Sequence, residues 1–231
     1  MKFNCEKEKL LIGLNSVSRT SVGRTTTPIL EGILLNVKKN SVILTTNDLD
    51  IGMEYTLNGI ETIEEGKVVI DCRMFGDIIR KLPNEQITFY VNDKNLLVIE
   101  CEGSIYKLAT MNADEFPTLP NIDVEKNITI SQGALKEMIK KTIFAVSVEE
   151  NRPIFTGCLI EVVNEELNVV AVDGFRLALR KARMASGVNS FSAIVPGKYL
   201  NEIVKNLQDI DEVIEFGTSK NQALFELKDC K

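Results

Sequence analysis

Apolar residues recur along this chain at two spacings, and each change of spacing marks an element. Leu135, Met138, Ile139 and Ile143 follow one another at steps of 3, 1 and 4, a helix stripe, and Leu10, Leu11, Leu14 and Val17 form a comparable one. A second helix is predicted over residues 73–82, with Asp71 as its N-cap and Pro83 as its stop. Phe75, Ile78, Ile79 and Leu82 make its inward face, and residues 198–207 repeat it with Leu200, Ile203, Val204 and Leu207. Short β-branched runs such as Ser41-Val42-Ile43-Leu44-Thr45, Val68-Val69-Ile70 and Leu167-Asn168-Val169-Val170 lie between the helices. Turn residues such as Lys39-Asn40 and Asn92-Asp93 break them. Each half reads as strand, helix, three strands, then strand, helix, three strands. Helices on one face of largely antiparallel sheet predict an α+β fold.

The pattern repeats. Pro28-Ile29-Leu30-Glu31-Gly32-Ile33-Leu34-Leu35-Asn36-Val37 aligns with Pro153-Ile154-Phe155-Thr156-Gly157-Cys158-Leu159-Ile160-Glu161-Val162 at an offset of 125 residues, with five of ten positions identical. Without a gap, the same offset pairs Leu10 with Leu135, Leu14 with Ile139, Asp48 with Asp173, and Ile70 with Val195. It also pairs Arg73 with Lys198, Asp77 with Glu202, and Arg80 with Lys205, so charge sign is kept three times. Two copies of one domain are expected, over residues 1–120 and 127–231. By this offset the second copy should end near position 245, which makes it incomplete at its C-terminal end.

Composition narrows the chemistry. The 231 residues contain no histidine, which removes the commonest general base, the commonest transition-metal ligand and any Ser-His-Asp triad. Five cysteines (Cys5, Cys72, Cys101, Cys158 and Cys230) are scattered and never form a CxxC. Buried thiols in a reducing compartment are expected, with no disulfide framework, metal site or cofactor. There is no run of 18 apolar residues, and the opening MKFNCEKEKL lacks the apolar core of a signal peptide, so a cytoplasmic protein without membrane contact is expected. The net charge of −6 offers no general attraction to nucleic acid, so any such contact needs a local basic arrangement.

Function could sit in two places, of which the first is such an arrangement. On the second helices Arg73, Asp77 and Arg80 recur as Lys198, Glu202 and Lys205, while Lys136, Lys140 and Lys141 sit on another helix. Solvated faces with intrahelical ion pairs are one reading. A weakly positive surface for phosphates, without base readout, is the other. The second place is Ala171-Val172-Asp173-Gly174-Phe175-Arg176-Leu177, either a turn with a buried Phe175 or an apolar groove rimmed by Arg176 for a partner's peptide.

Several stretches resemble the bacterial beta clamp, the beta subunit of the replicative DNA polymerase. They are the opening MKF, Gly23-Arg24 through Thr27-Pro28-Ile29-Leu30, the Asp114-Glu115-Phe116-Pro117 turn and Val172-Asp173-Gly174-Phe175-Arg176-Leu177. The resemblance covers the whole chain as the first two of three domains, and the third would be absent from it. It implies the DNA clamp fold, a head-to-tail homodimeric ring around duplex DNA, and no catalysis. It assigns DNA contacts to Arg24, Arg73, Pro153 and Ile154, while the charge pattern of the helices adds Arg80, Lys136, Lys140, Lys198 and Lys205 as further candidates. Glu149 stands where the family can have a neutral polar DNA contact. A groove for linear motifs of polymerase, clamp loader and repair proteins maps to Phe155, Val172, Gly174, Phe175, Arg176 and Leu177. Val172 and Phe175 depart from the family's usual threonine and histidine or tyrosine, which makes the groove more apolar.

Two other classes compete with the clamp reading. A carboxylate hydrolase built on Asp48 and Asp173 is disfavoured because the repeat makes them equivalent residues of separate copies. A protein-interaction scaffold that never meets DNA is the third reading.

Overall fold

A computed structural model describes residues 1–21, 25–120, 122, 126–149, 151–184, 190–219 and 222–231. Contacts divide the chain into Met1–Pro120 with Asp229–Lys231, and Asn121–Lys228. The last three residues therefore group with the first unit rather than with the stretch 127–231.

Unit one runs β1 (Lys2–Glu6), α1 (Lys7–Val17), β2 (Gly32–Lys38), β3 (Ser41–Asn47), β4 (Gly52–Asn58), β5 (Glu61–Glu64), β6 (Gly66–Asp71), α2 (Cys72–Lys81), β7 (Gln86–Val91), β8 (Leu96–Cys101) and β9 (Ser104–Met111). Its strands form one antiparallel sheet of order β4-β3-β2-β6-β9-β8-β7-β1-β5. The short β5 exceeds the four strands expected between the helices; it caps the edge of β1. Asp71 caps α2 as expected, its carboxylate accepting from the Met74 amide at 2.6 Å.

Unit two runs β10 (Lys126–Ser131), α3 (Gln132–Lys140), β11 (Gly157–Val163), β12 (Glu166–Val172), β13 (Leu177–Arg183), β14 (Phe191–Pro196), α4 (Gly197–Asn206), β15 (Val213–Ser219) and β16 (Gln222–Glu226). Here the strands stay in two sheets, β10-β15-β16 and β13-β12-β11-β14. In unit one, β9 joins the corresponding halves by pairing with both β8 and β6.

The cores repeat as the sequence does. Leu10, Leu14, Leu35, Val37, Leu44 and Ile79 are buried, and so are Leu135, Ile139, Ile160, Val162, Val169 and Val204, each 125 residues on. In each unit the two helices pack together. Gly32 and Gly157 are the same glycine of the repeat. A Cβ on Gly32 would sit 2.4 Å from Val69 Cγ1, and one on Gly157 would sit 2.8 Å from the Val195 carbonyl oxygen. Only glycine lets β2 and β11 start this close to the neighbouring strand. After the second helices the offset slips: Phe89 lies opposite Phe3, and Phe216 opposite Ile128, an offset of 127 for the later strand.

Candidate functional site

The second helices carry their charges outward. On α2, Arg73 and Arg80 are exposed, and Arg80 donates to Asp77 at 3.4 Å. On α4, Lys205 pairs with Glu202 at 2.6 Å, the same positions of the repeat. Lys198 lies 4.5 Å from the centre of its neighbour Tyr199. These intrahelical pairs belong to the plainer of the two sequence readings. They are solvent-exposed and worth little in water, so a phosphate can displace them at small cost. Lys140 is exposed on α3, whereas Lys141 pairs with Glu137 at 2.5 Å. Glu137 also accepts from Arg180 at 3.0 Å, and Lys141 and Arg180 together hold its carboxyl below the usual range.

Lys136 differs from the expectation of an outward charge. Its side chain is only 15% exposed and pairs with Asp209 at 3.0 Å, a residue 73 positions away that helix periodicity does not register. Arg24 lies outside the described residues. Glu149, Pro153 and Ile154 are exposed, the last two in a short 3₁₀ turn over Pro153–Thr156. The Glu149 amide donates to Ser147 Oγ at 3.0 Å, leaving its carboxylate toward solvent.

The turn after β12 is built by Asp173. Its Oδ1 accepts from the amides of Phe175 at 3.0 Å and Arg176 at 3.1 Å, and its Oδ2 from Arg176 Nε at 2.9 Å. The Phe175 amide and then Arg176 hold the Asp173 carboxyl below its usual range. Asp48 makes the same turn in unit one, accepting from Asp50 N at 2.9 Å and Ile51 N at 2.7 Å. Both carboxylates are thus occupied by backbone, as the repeat implied, and they serve no shared chemistry.

Around Asp173 the surface is apolar. Phe175 is fully exposed, against the alternative of a buried ring, and Leu177 is 64% exposed. Gly174 has φ +92 and is exposed, Val172 and Phe155 are half-buried, and Arg176 sits 5.6 Å from the centre of the Phe144 ring. Sequence reading missed Phe144 and Leu179, both exposed apolar residues of the same unit. Phe144 lies in a 3₁₀ turn past α3, and at offset 125 it matches Arg19, so neither period nor repeat marks it. No cluster of metal-ligating side chains occurs among the described residues. Among these residues, no helix is long and apolar enough to cross a membrane.

Comparison with known proteins agrees with this geometry. A family model described as the DNA polymerase III beta subunit, N-terminal domain, matches residues 1–120, and that of the central domain matches 129–231. The beta sliding clamp of Staphylococcus epidermidis is 36% identical over 97% of this chain and 62% of that protein. That of Bacillus subtilis is 36% identical over 99% and 62%. The crystal structure of the Bacillus subtilis DNA polymerase sliding clamp superposes with a TM-score of 0.95 at 34% identity, covering all of this chain and 63% of that one. A Pseudomonas aeruginosa sliding clamp bound to griselimycin gives 0.94 at 28%, covering 100% and 63%. This chain thus spans about 62% of the length of the curated relatives it matches. With both units matched in order, the chain belongs to the DNA polymerase III beta subunit family.

Proposed function

We propose that this chain forms the first two domains, residues 1–120 and 127–231, of a sliding clamp that encircles duplex DNA and catalyses nothing itself. The observation that carries the reading is the match of both units, in order, to the two clamp domains. A third clamp domain and a second chain complete the ring, and the protein works in the cytoplasm. DNA held by topology needs only weak backbone contacts. Arg24, Arg73, Pro153 and Ile154 supply them, helped by Arg80, Lys140, Lys198 and Lys205. Lys136 and Glu149 contribute less, the first because Asp209 neutralises it and the second because of its charge. The acidic remainder of the protein discourages binding elsewhere.

The exposed surface of Phe155, Val172, Gly174, Phe175, Arg176 and Leu177 takes linear motifs of polymerase, clamp loader and repair proteins. The relative bound to griselimycin supports a ligand groove in the family. Apolar anchors beside one arginine suit a short peptide with hydrophobic side chains.

The test is retention on DNA. The intact clamp loaded on a primed circle should remain bound and slide off once the circle is cut; retention on linear DNA would contradict topological binding. Removing Arg24 and Arg73 should flatten the salt dependence of binding by about 0.9 per lost phosphate contact. A polymerase-derived peptide should bind Leu177→Ala less well than the parent, and equal affinity removes the groove assignment.

A further inference from the structure

The second helices repeat an acid as well as their cations. On α2, Arg73, Asp77 and Arg80 follow one another at spacings of four and three, which places them in one column on one face. On α4, Lys198, Glu202 and Lys205 form the same column 125 residues on. In both, a carboxylate stands between two cations. Neither acid belongs to the core side, which is Cys72, Phe75, Gly76 and Ile79 on α2 and Gly197, Leu200 and Val204 on α4.

Each acid draws on the cation that follows it. Arg80 Nη1 donates to Asp77 Oδ1 at 3.4 Å, and Lys205 Nζ donates to Glu202 Oε1 at 2.6 Å. The Arg80 guanidinium lies back along its own helix, since a Cβ on Gly76 would be 3.0 Å from its Nη1. Both cations still keep 47% of their side-chain surface in solvent. Exposed pairs of this kind are weak, so the acid does not remove its partner from reach of a phosphate. Its field reaches further than its hydrogen bond. Neighbours in such a column have Cβ atoms about 5–6 Å apart, inside the screening length of about 8 Å at physiological salt. A phosphate that meets any cation of the column therefore also feels the carboxylate. Each column sums to +1, two cations less one acid, where the cations alone would make +2.

We infer that Asp77 and Glu202 set how weakly the second helices hold duplex DNA, acting as built-in counter-ions that keep each phosphate contact shallow. The inference rests on the DNA reading proposed above and adds to it two residues that act by repulsion. A sliding ring must leave each phosphate as readily as it meets it. Columns without the acids would deepen every resting place along the duplex.

The test removes the acids and leaves the cations. Asp77→Asn, Glu202→Gln and the double variant are made in the intact clamp. Glu166→Gln is the control, because it removes the same charge from the β12–β13 sheet, where Glu166 pairs with Lys181. Binding to a short duplex is followed across a salt series, and each helix variant should steepen the slope of log K against log salt by up to about 0.9. For the clamp loaded on a long duplex with blocked ends, diffusion along the DNA should slow about two- to threefold per acid removed, the effect of one weak ion pair. Glu166→Gln should change neither. The substitutions keep side-chain size, and circular dichroism melts matching the parent verify folding. Slope and diffusion unchanged in the double variant, or moved equally by Glu166→Gln, would overturn the assignment and leave the DNA reading standing. A parent clamp that binds no DNA would overturn both.

Discussion

The two units share a register yet treat the same place oppositely. In unit one the turn of Asp48 is covered by its own chain: Asn47 Nδ2 donates to the Pro117 carbonyl at 3.3 Å, and Leu119 packs on Gly52. A Cβ on Gly52 would lie 2.1 Å from Leu119 Cδ2. In unit two the matching residue is Leu177, which is exposed together with Phe175. At this position of the repeat unit one has a glycine against which Leu119 packs, and unit two has an exposed leucine. The buried interiors differ as well. Unit one links Thr20 and Thr46 hydroxyls at 2.6 Å, both also bonding the Val17 carbonyl, where unit two has Ala145 and Ala171. At these two positions the hydroxyls of one copy are replaced by methyl groups in the other.

The largest effect tests whether the cores are energetically alike. Phe89→Ala and Phe216→Ala each remove a buried ring packed against another, Phe3 at 4.7 Å and Phe225 at 4.5 Å between centroids. Each should cost its own unit about 3–5 kcal/mol. Hydrogen exchange in α2 and α4 would show whether the loss stays in the mutated unit. Equal losses in both helices would mean the units unfold as one.

Exchanging the residues at this position of the repeat comes next. Gly52→Leu should destabilise unit one by about 1–3 kcal/mol through overpacking against Leu119. Leu177→Gly should cost unit two no more than about 1 kcal/mol, the price of a strand glycine. Urea melts of both variants measure this, and comparable losses would deny that Leu119 packs on Gly52 while Leu177 is exposed.

A smaller effect sits inside the turn. Leu49 has φ +76 and Gly174 φ +92, so the same left-handed position holds a strained leucine in one unit and glycine in the other. Gly174→Ala should cost about 1 kcal/mol, whereas Leu49→Ala should be nearly neutral.

The smallest is a pH effect. Asp173 has its folded pKa lowered, so its contribution is fully present above the unfolded value and fades as pH falls through the folded one. Amide shifts of Phe175 and Arg176 should therefore hold steady from neutral pH down to about 4 and move only in stronger acid. In Asp173→Asn that acid step should vanish.

Much of this was legible in the sequence because the repeat reports structure twice. Leu35 with Ile160 and Leu44 with Val169 are buried in both copies, and Asp48 and Asp173 build one turn. The α+β class and the four helices followed from local period and shared register, and the family from the resemblance of a few short motifs. The misses are contacts distant in sequence. Lys136 sits on the polar side of its helix and is neutralised by Asp209 from beyond α4. Leu119 reaches back to Gly52, and Asp229–Lys231 reach back to β4. Periodicity describes a residue's neighbours along one element, and it cannot see a strand edge being covered from over a hundred residues away.

All five cysteines are buried, and burial pushes the thiols of Cys5, Cys72, Cys158 and Cys230 up to about 11. At neutral pH they are almost wholly protonated and shielded from reagents. A single cysteine placed on the surface would then be the only fast-reacting thiol on the folded chain. The protein thus accepts a fluorophore or spin label at one chosen position with every native sulfur left in place, and the distance from either unit to a bound partner becomes a spectroscopic observable.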